Sequence, residues 1–176
     1  MNEVIEAMRD RRSVRAYTDE PVSAADERAI LEAACQAPTA GNQQLYSIIV
    51  VRDQAEKDEL AVTCDNQPFI AKAPLVLVFC VDVRRWHRAF VAAGAEPREP
   101  GVGDFLLALE DTAIAAQNAV VAAHSLGLGS CYIGDILERR EEQARILGCP
   151  RHVVPAVMFV IGHPTPGQLK RVKPVR

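Results

Sequence analysis

Residues 74–82 read PLVLVFCVD, an apolar run that contains no polar side chain before Asp82. A strand with one solvated face alternates apolar and polar residues, whereas a continuous apolar run is typical of a strand covered on both faces. The run therefore predicts a strand at the centre of a sheet, with further structure packed on each side of it.

Other strand and helix patterns lie on both sides of this run. Strand patterns occupy residues 46–53, 131–133 and 153–162. Helical spacing of apolar residues covers residues 3–9, 23–37, 54–63, 84–93, 104–125 and 136–147. Residues 96–103 are rich in Pro and Gly and are expected to form a loop. This order predicts an α+β or three-layer domain around a mixed sheet.

The size and charge of the chain restrict its function. Its 176 residues are expected to form one domain, residues 1–176, in which residues 163–176 are a Pro-rich basic tail. A hydrophobic content of 49% with 24% charged residues is typical of a soluble globular protein. The formal net charge of -3 argues against a general attraction to nucleic acid or anionic lipid, so a polyanion has to be bound locally.

Cysteine and histidine usage points to a cytoplasmic protein without a metal. The five cysteines include no CxxC pair, and their odd number does not suit a disulfide framework, so reduced thiols are expected. The four histidines lack metal-ligand spacing. The N-terminus lacks the apolar core of a signal peptide. Residues 105–129 are apolar but contain polar and charged side chains, and no membrane span is expected.

The stretch RDRRSVRAY, residues 9–17, concentrates four arginines in an acidic chain. If residues 11–15 are extended, Arg11, Ser13 and Arg15 share one face. If the preceding helix continues, Arg11 and Arg15 lie one turn apart on one side. Either conformation gathers guanidinium groups that suit bidentate binding of a phosphate. The alternatives are cations that only complement a helix dipole, and, less favoured, a nucleic-acid patch.

A second basic cluster lies at the other end of the chain, at Lys170, Arg171, Lys173 and Arg176. Taken alone, such a cluster is more typical of a solvated tail. Folding that brings both ends of the chain together would place the two clusters around one phosphate.

Five short motifs follow one another along the chain: RRSVRAY, APTAGNQQLYSIIVV, NQPFIAKAPLVLVF, GLGSCYIGD, and a basic tail after VIGHP. Together they resemble the FMN-dependent nitroreductase family. The resemblance implies a three-layer α/β/α domain with a central mixed, mainly antiparallel sheet, in an intertwined homodimer with FMN at the interface. It also implies a ping-pong reaction in which NADH or NADPH reduces FMN, which then reduces a small-molecule acceptor such as a nitroaromatic or a quinone.

The resemblance further assigns candidate FMN-binding residues. The phosphate and ribityl contacts match Arg11, Arg12, Ser13 and Arg15. The residues that reach the flavin from the partner subunit match Pro38, Thr39, Asn42 and Gln44. The contacts to the ring edge match Asn66 and Gln67. The segment beside flavin N5 matches Ile133, Gly134 and Asp135. A second phosphate contact matches Lys170 and Arg171, with Lys173 as an alternative.

No catalytic side chain is expected, because in a flavoenzyme the redox chemistry belongs to the ring and the protein binds, orients and tunes it. A backbone N–H, assigned here to Gly134, is expected to reach N5, since glycine permits a close approach. On local grounds alone, Asn66 and Gln67 indicate a turn and GLG at 127–129 a helix C-cap.

Two other functions remain open from the sequence. One is a flavin-dependent oxidase, dehydrogenase or flavin-fragmenting enzyme on the same fold. The other is a non-catalytic flavin-binding protein. An enclosed polar pocket would favour the first, and a bound flavin that NADH and NADPH do not reduce would favour the second.

Overall fold

A four-stranded sheet organises the chain, for which a computed structural model describes residues 2–170. The strands are β1 (Tyr46–Val51), β2 (Leu75–Asp82), β3 (Gly129–Ile133) and β4 (Val153–Gly162). Their order in the sheet is β1-β2-β4-β3, and each neighbouring pair is antiparallel. Parallel pairing occurs in the described residues at one isolated bridge, between Ser13 and Ser130. The last strand in the chain is thus inserted between two earlier ones.

Eight α-helices surround the sheet in the described part of the chain. They are α1 (Glu3–Asp10), α2 (Ala24–Cys35), α3 (Gln54–Thr63), α4 (Pro68–Ala71), α5 (Arg84–Ala92), α6 (Val102–Ser125), α7 (Arg140–Ile146) and α8 (Pro166–Leu169). Helix α2 begins where its sequence predicts, because Ser23 Oγ accepts a hydrogen bond from Asp26 N at 3.0 Å. Asp53 caps α3 through the backbone N–H of Ala55 at 2.7 Å.

Strand β2 is covered on both faces, as its apolar run predicts. Val76 and Val78 face a buried layer built with α3 and α7. Leu77 and Phe79 face the opposite layer, built with α2 and α6, where Phe79 stacks on Phe159 with ring centroids 5.4 Å apart. The alternation of side chains along one strand therefore produces the three-layer α/β/α arrangement.

Helix α6 is long and apolar enough to cross a membrane, judged by length and composition alone. One face of it nevertheless packs on the sheet and α2 through small residues such as Ala115 and Ala119. The other face leaves Phe105, Leu106 and Ile114 exposed. Its apolar circumference thus divides into a core face and a solvent-accessible apolar face.

Two predictions from the sequence are corrected at the C-terminal side. The helix predicted over 136–147 is a 3₁₀ turn, Gly134–Leu137, followed by the shorter α7. The tail from 163 onward was expected to lack regular structure, yet Pro166–Leu169 forms the single turn α8 with proline at its first position, a placement that proline favours.

Candidate functional site

The arginine-rich segment, here termed the N-terminal arm (residues 11–17), is extended. Helix α1 ends at Asp10, and the backbone of its C-cap Arg11 is already non-helical at φ -53° and ψ 132°. Val14 N donates to Ser130 O at 2.9 Å and thereby holds the arm against β3. The extended alternative is therefore the one the chain adopts.

Alternate arm residues surround one buried thiol. Burial raises the pKa of Cys131, while Arg15, the hydroxyl of Ser13 and Arg11 act in the opposite direction. Arg12 is directed elsewhere, since its guanidinium donates to Leu169 O at 3.2 Å. The arm therefore places Arg11, Ser13 and Arg15 near Cys131, as the period of two requires, while the Arg12 guanidinium bonds Leu169.

The glycines of GLGSCYIGD let the arm approach β3. Gly127 has φ +78° directly after the C-cap of α6, which confirms the C-cap interpretation of GLG. Gly129 faces the arm so closely that a Cβ there would lie 2.6 Å from Val14 Cγ2. A larger residue at 129 would push the arm away from the strand that carries Ser130.

The C-terminal segment meets the arm. Thr165 N donates to Ala16 O at 3.2 Å, and Arg15 N donates to Gln168 Oε1 at 3.3 Å. A cavity of about 340 Å³ lies between the two segments and is lined by residues that include Arg11, Arg12, His124, Ser130 and Gln168. Lys170 is exposed just beyond α8. Arg171 and its alternative Lys173 lie outside the described residues.

Gln67 and Asp135 come together across the site. Gln67 Nε2 donates to Asp135 Oδ2 at 2.6 Å and to Cys64 O at 2.9 Å. Arg15 lies over the ring of Phe69, with Cζ 6.0 Å from the ring centroid, so the arm and the turn that carries Gln67 are neighbours. Asn66 is exposed in that turn at φ +51°, which agrees with its interpretation as a turn residue.

The segment after β3 leaves open space. Ile133 is buried, whereas Gly134 is exposed and a Cβ at that position would meet no atom within 4 Å. No other atom of the chain therefore covers the side of this backbone where a Cβ would stand.

The loop that contains Pro38, Thr39, Asn42 and Gln44 (the 38–45 loop) has an unusual backbone. Gly41, Asn42 and Gln44 are all in the left-handed region, at φ +55°, +56° and +47°. Trp86 supports the loop from α5 by donating from Nε1 to Gln43 O at 2.8 Å.

The arm and the 38–45 loop lie at opposite ends of the sheet in one protomer. The loop precedes Tyr46, which pairs with Val81, and Val81 pairs with Val154 near the start of β4. Ser130, which holds the arm, pairs with Ile161 near the end of β4. Along β4, the distance from Val154 to Ile161 is roughly 20 Å at about 3.3 Å per residue. One protomer thus brings together the arm, Gln67 and the segment after β3, and keeps the loop apart from them.

Comparison with known proteins identifies the family of the chain. The model of the nitroreductase family matches residues 8–163. The chain belongs to the nitroreductase family. It is 37% identical over 166 residues to "FMN reductase (NADPH)" of Bacillus subtilis (strain 168), a match that covers 93% of this chain and 67% of the relative.

Solved structures of the nitroreductase family superpose closely on this chain. That of B. megaterium NfrA2 has a TM-score of 0.94 and 37% identity, covering 99% of this chain and 71% of the other. That of NADPH:FMN oxidoreductase from Vibrio harveyi complexed with NAD+ has a TM-score of 0.91 and 30% identity, covering 99% and 73%. The family and the fold class expected from the sequence are therefore confirmed.

Three residues near the nitroreductase motifs were not found from the sequence. Gln168 accepts from the arm, Trp86 supports the 38–45 loop, and Asp111 accepts hydrogen bonds from the same loop. The available signal for Asp111 was an acidic residue between the helical apolar positions Ala108 and Ala115. Gln168 and Trp86 carry no local signal.

Proposed function

We propose that this nitroreductase-family chain is an FMN-dependent oxidoreductase that uses NADH or NADPH. FMN bound there would supply the redox chemistry between the nicotinamide and a nitroaromatic, quinone or similar acceptor, in two separate half-reactions. The observation that carries the proposal is the extended arm held on β3 at Ser130, with Arg15 over Phe69 in the turn of Gln67. Gln67 in turn bonds Asp135, next to the open backbone at 134.

The donor set of the site fits FMN. A phosphate monoester carries between one and two negative charges at neutral pH, and two guanidiniums with a hydroxyl on one face complement it. We assign Arg11, Ser13 and Arg15 to the phosphate and ribityl chain. We assign Arg12 a supporting role. Its guanidinium bonds the backbone oxygen of Leu169 and so positions the next residue, Lys170, relative to the arm.

We assign the ring end of the site to Gln67, Asp135, Ile133 and Gly134, and its exposed edge to Asn66. The Gln67 amide is oriented by Asp135, which leaves its Oε1 as an acceptor for a ring N–H. The backbone N–H of Gly134 is assigned to N5. No side chain of the chain is required to act as a nucleophile or general base, because the flavin would supply the redox chemistry.

A homodimer is part of the proposal. Pro38, Thr39, Asn42 and Gln44 lie too far from the arm to share its flavin within one protomer, so we assign them to the flavin of a partner subunit. Large exposed apolar side chains on two helices support such a partner: Ile5 and Met8 on α1, and Phe105, Leu106 and Ile114 on α6.

A cytoplasmic location is also proposed. All five cysteines are free thiols, which suits a reducing compartment. The substrate acceptor is proposed only as a class, a small oxidised aromatic or quinone.

An anaerobic titration tests the proposed function. The purified chain is reconstituted with FMN, freed of excess flavin, and mixed with NADH or NADPH while the visible absorption of oxidised flavin is followed. We expect that band to bleach and to return when a quinone is added. A chain that retains no FMN would contradict the cofactor assignment. A bound flavin that neither nucleotide bleaches would instead support non-catalytic flavin binding.

A further inference from the structure

Asp111 is a carboxylate buried inside the apolar helix α6. Its side chain is 2% exposed, on the face of the helix that also buries Ala108 and Ala115. A charge in such a position is unfavourable unless hydrogen bonds replace the water it has lost. Alanine is the common residue along this face and carries no such cost. The carboxylate is therefore expected to have a function that alanine lacks.

The hydrogen bonds of Asp111 go to the two ends of the 38–45 loop. Oδ1 accepts from Ala40 N at 2.9 Å, and Oδ2 accepts from Leu45 N at 3.3 Å. The two amides are separated by the left-handed residues of the loop, Gly41, Asn42 and Gln44. One carboxylate thus bonds a backbone amide on each side of the left-handed residues.

Gln44 gives the loop one strained backbone position. Gly41 and Asn42 are of types that tolerate positive φ, whereas Gln there is uncommon and persists where the surroundings compensate for the strain. Within the loop, Gln44 N donates to Thr39 Oγ1 at 3.3 Å, and Gln44 Nε2 donates to Asn42 O at 2.7 Å. Asp111 adds bonds to the residues that follow Thr39 and Gln44, namely Ala40 and Leu45.

We propose that Asp111 is a positioning residue for flavin binding: by bonding the amides of Ala40 and Leu45 it sets the loop conformation that presents Thr39 and Asn42 to the flavin of the partner subunit. The inference rests on the proposed function. It adds a residue that does not itself touch the flavin and acts on the site of the other protomer through the loop.

The first test replaces the carboxylate with its neutral isostere, Asp111→Asn. The amide keeps one acceptor oxygen and turns an N–H₂ group toward the second backbone N–H, so one bond is lost and the shape is kept. We expect the FMN dissociation constant, measured by flavin fluorescence, to rise at least about tenfold. The matched control is Thr112→Val, a buried neighbour on α6 whose hydroxyl bonds Ala108 O and not the loop.

Amide hydrogen exchange on the flavin-free protein examines the loop directly. In Asp111→Asn, exchange at Ala40 or Leu45 is expected to accelerate while the amides of β2 and β4 keep their protection. Accelerated exchange throughout the protein would show a general loss of stability and would overturn a positioning role. Unchanged exchange at both amides would overturn it as well.

A mixing experiment distinguishes action on the partner's flavin from action within one protomer. Asp111→Asn and Arg15→Ala are co-expressed with different tags, and the mixed dimers are isolated. If Asp111 acts on the partner's site, one site of the mixed dimer carries both substitutions and the other carries neither, so tight FMN binding returns at one flavin per dimer. If it acts within its own protomer, both sites remain defective and the proposal is wrong.

The outcomes separate this inference from the proposed function. A wild-type chain that binds FMN, with an Asp111→Asn variant that binds it equally well, overturns the role of Asp111 alone. A wild-type chain that binds no FMN overturns both.

Discussion

Gln67 Nε2 lies 2.6 Å from Asp135 Oδ2, so the turn after α3 is tied to the turn after β3 across 68 residues of sequence. Both residues are only partly buried. The bond fixes which way the Gln67 amide faces, since its N–H₂ group is engaged on the protein side. The ring end of the proposed flavin site is therefore shaped before any ligand enters.

The variant Gln67→Glu is expected to make stability depend on pH. It places two carboxyl groups at hydrogen-bonding distance, and they remain close only when they share a proton. The folded variant then holds a proton that the unfolded chain has released at neutral pH, so its free energy of unfolding falls as pH rises toward 8 and recovers toward pH 5. Urea denaturation at several pH values measures this.

The matched control for that variant is Gln67→Met, which removes the hydrogen bond without adding a charge. We expect Gln67→Glu to be less stable than Gln67→Met by about 1 kcal/mol or more at pH 8, and the difference to narrow at pH 5. A difference that does not change with pH would contradict the pairing with Asp135.

Arg11→Ala and Arg15→Ala are each expected to weaken FMN binding by roughly ten- to a hundredfold, since a hydrogen bond to a charged group contributes about 1.5–3 kcal/mol. The fold is expected to persist, because both side chains lie at the surface of the arm. Fluorescence titration with FMN, together with circular dichroism, checks both statements. Arg88→Ala on the exposed face of α5 serves as the control. Unchanged dissociation constants in both variants would show that the phosphate binds elsewhere.

Gly129→Ala is expected to destabilise the fold by about 1–3 kcal/mol. The new Cβ would meet three atoms of the Val14 side chain, at 2.6 to 2.9 Å, and would force the arm away from Ser130. Urea denaturation measures the loss. The same substitution at Gly103, a helical site with no atom within 4 Å of the new Cβ, is expected to leave stability unchanged or to raise it by up to about 1 kcal/mol. Equal effects at the two sites would contradict the contact.

The cysteines are expected to differ sharply in reactivity. Burial raises the pKa of Cys64 to about 11, so at pH 8 only about one molecule in a thousand carries the reactive thiolate there. Cys35 is exposed, whereas Cys64, Cys80 and Cys131 are buried. Brief alkylation of the native protein followed by peptide mass spectrometry should label Cys35 first and the three buried thiols only after unfolding. Cys35→Ser is expected to remove the label at residue 35 and to leave that of the half-buried Cys149. Fast labelling of Cys64 would show that its cover opens readily.

The sequence by itself determined the layers and most of the element boundaries. The apolar run of β2 predicted cover on both faces because every residue along it avoids water, and α3 lies at the predicted residues 54–63. These features depend on the spacing of neighbouring side chains. The order of short motifs was likewise sufficient for the family, and the period of two placed Arg11, Ser13 and Arg15 together once the arm was known to be extended.

Tertiary structure alone decided how distant segments meet. No local pattern states that β4 enters between β2 and β3, that Gln67 bonds Asp135, or that Asp111 reaches the amides of Ala40 and Leu45. The three side-chain bonds join residues 66 to 71 positions apart and depend on which faces of the sheet and helices pack together. The spacing of side chains along the sequence is a local property. Which residue each side chain contacts depends on how the whole core packs.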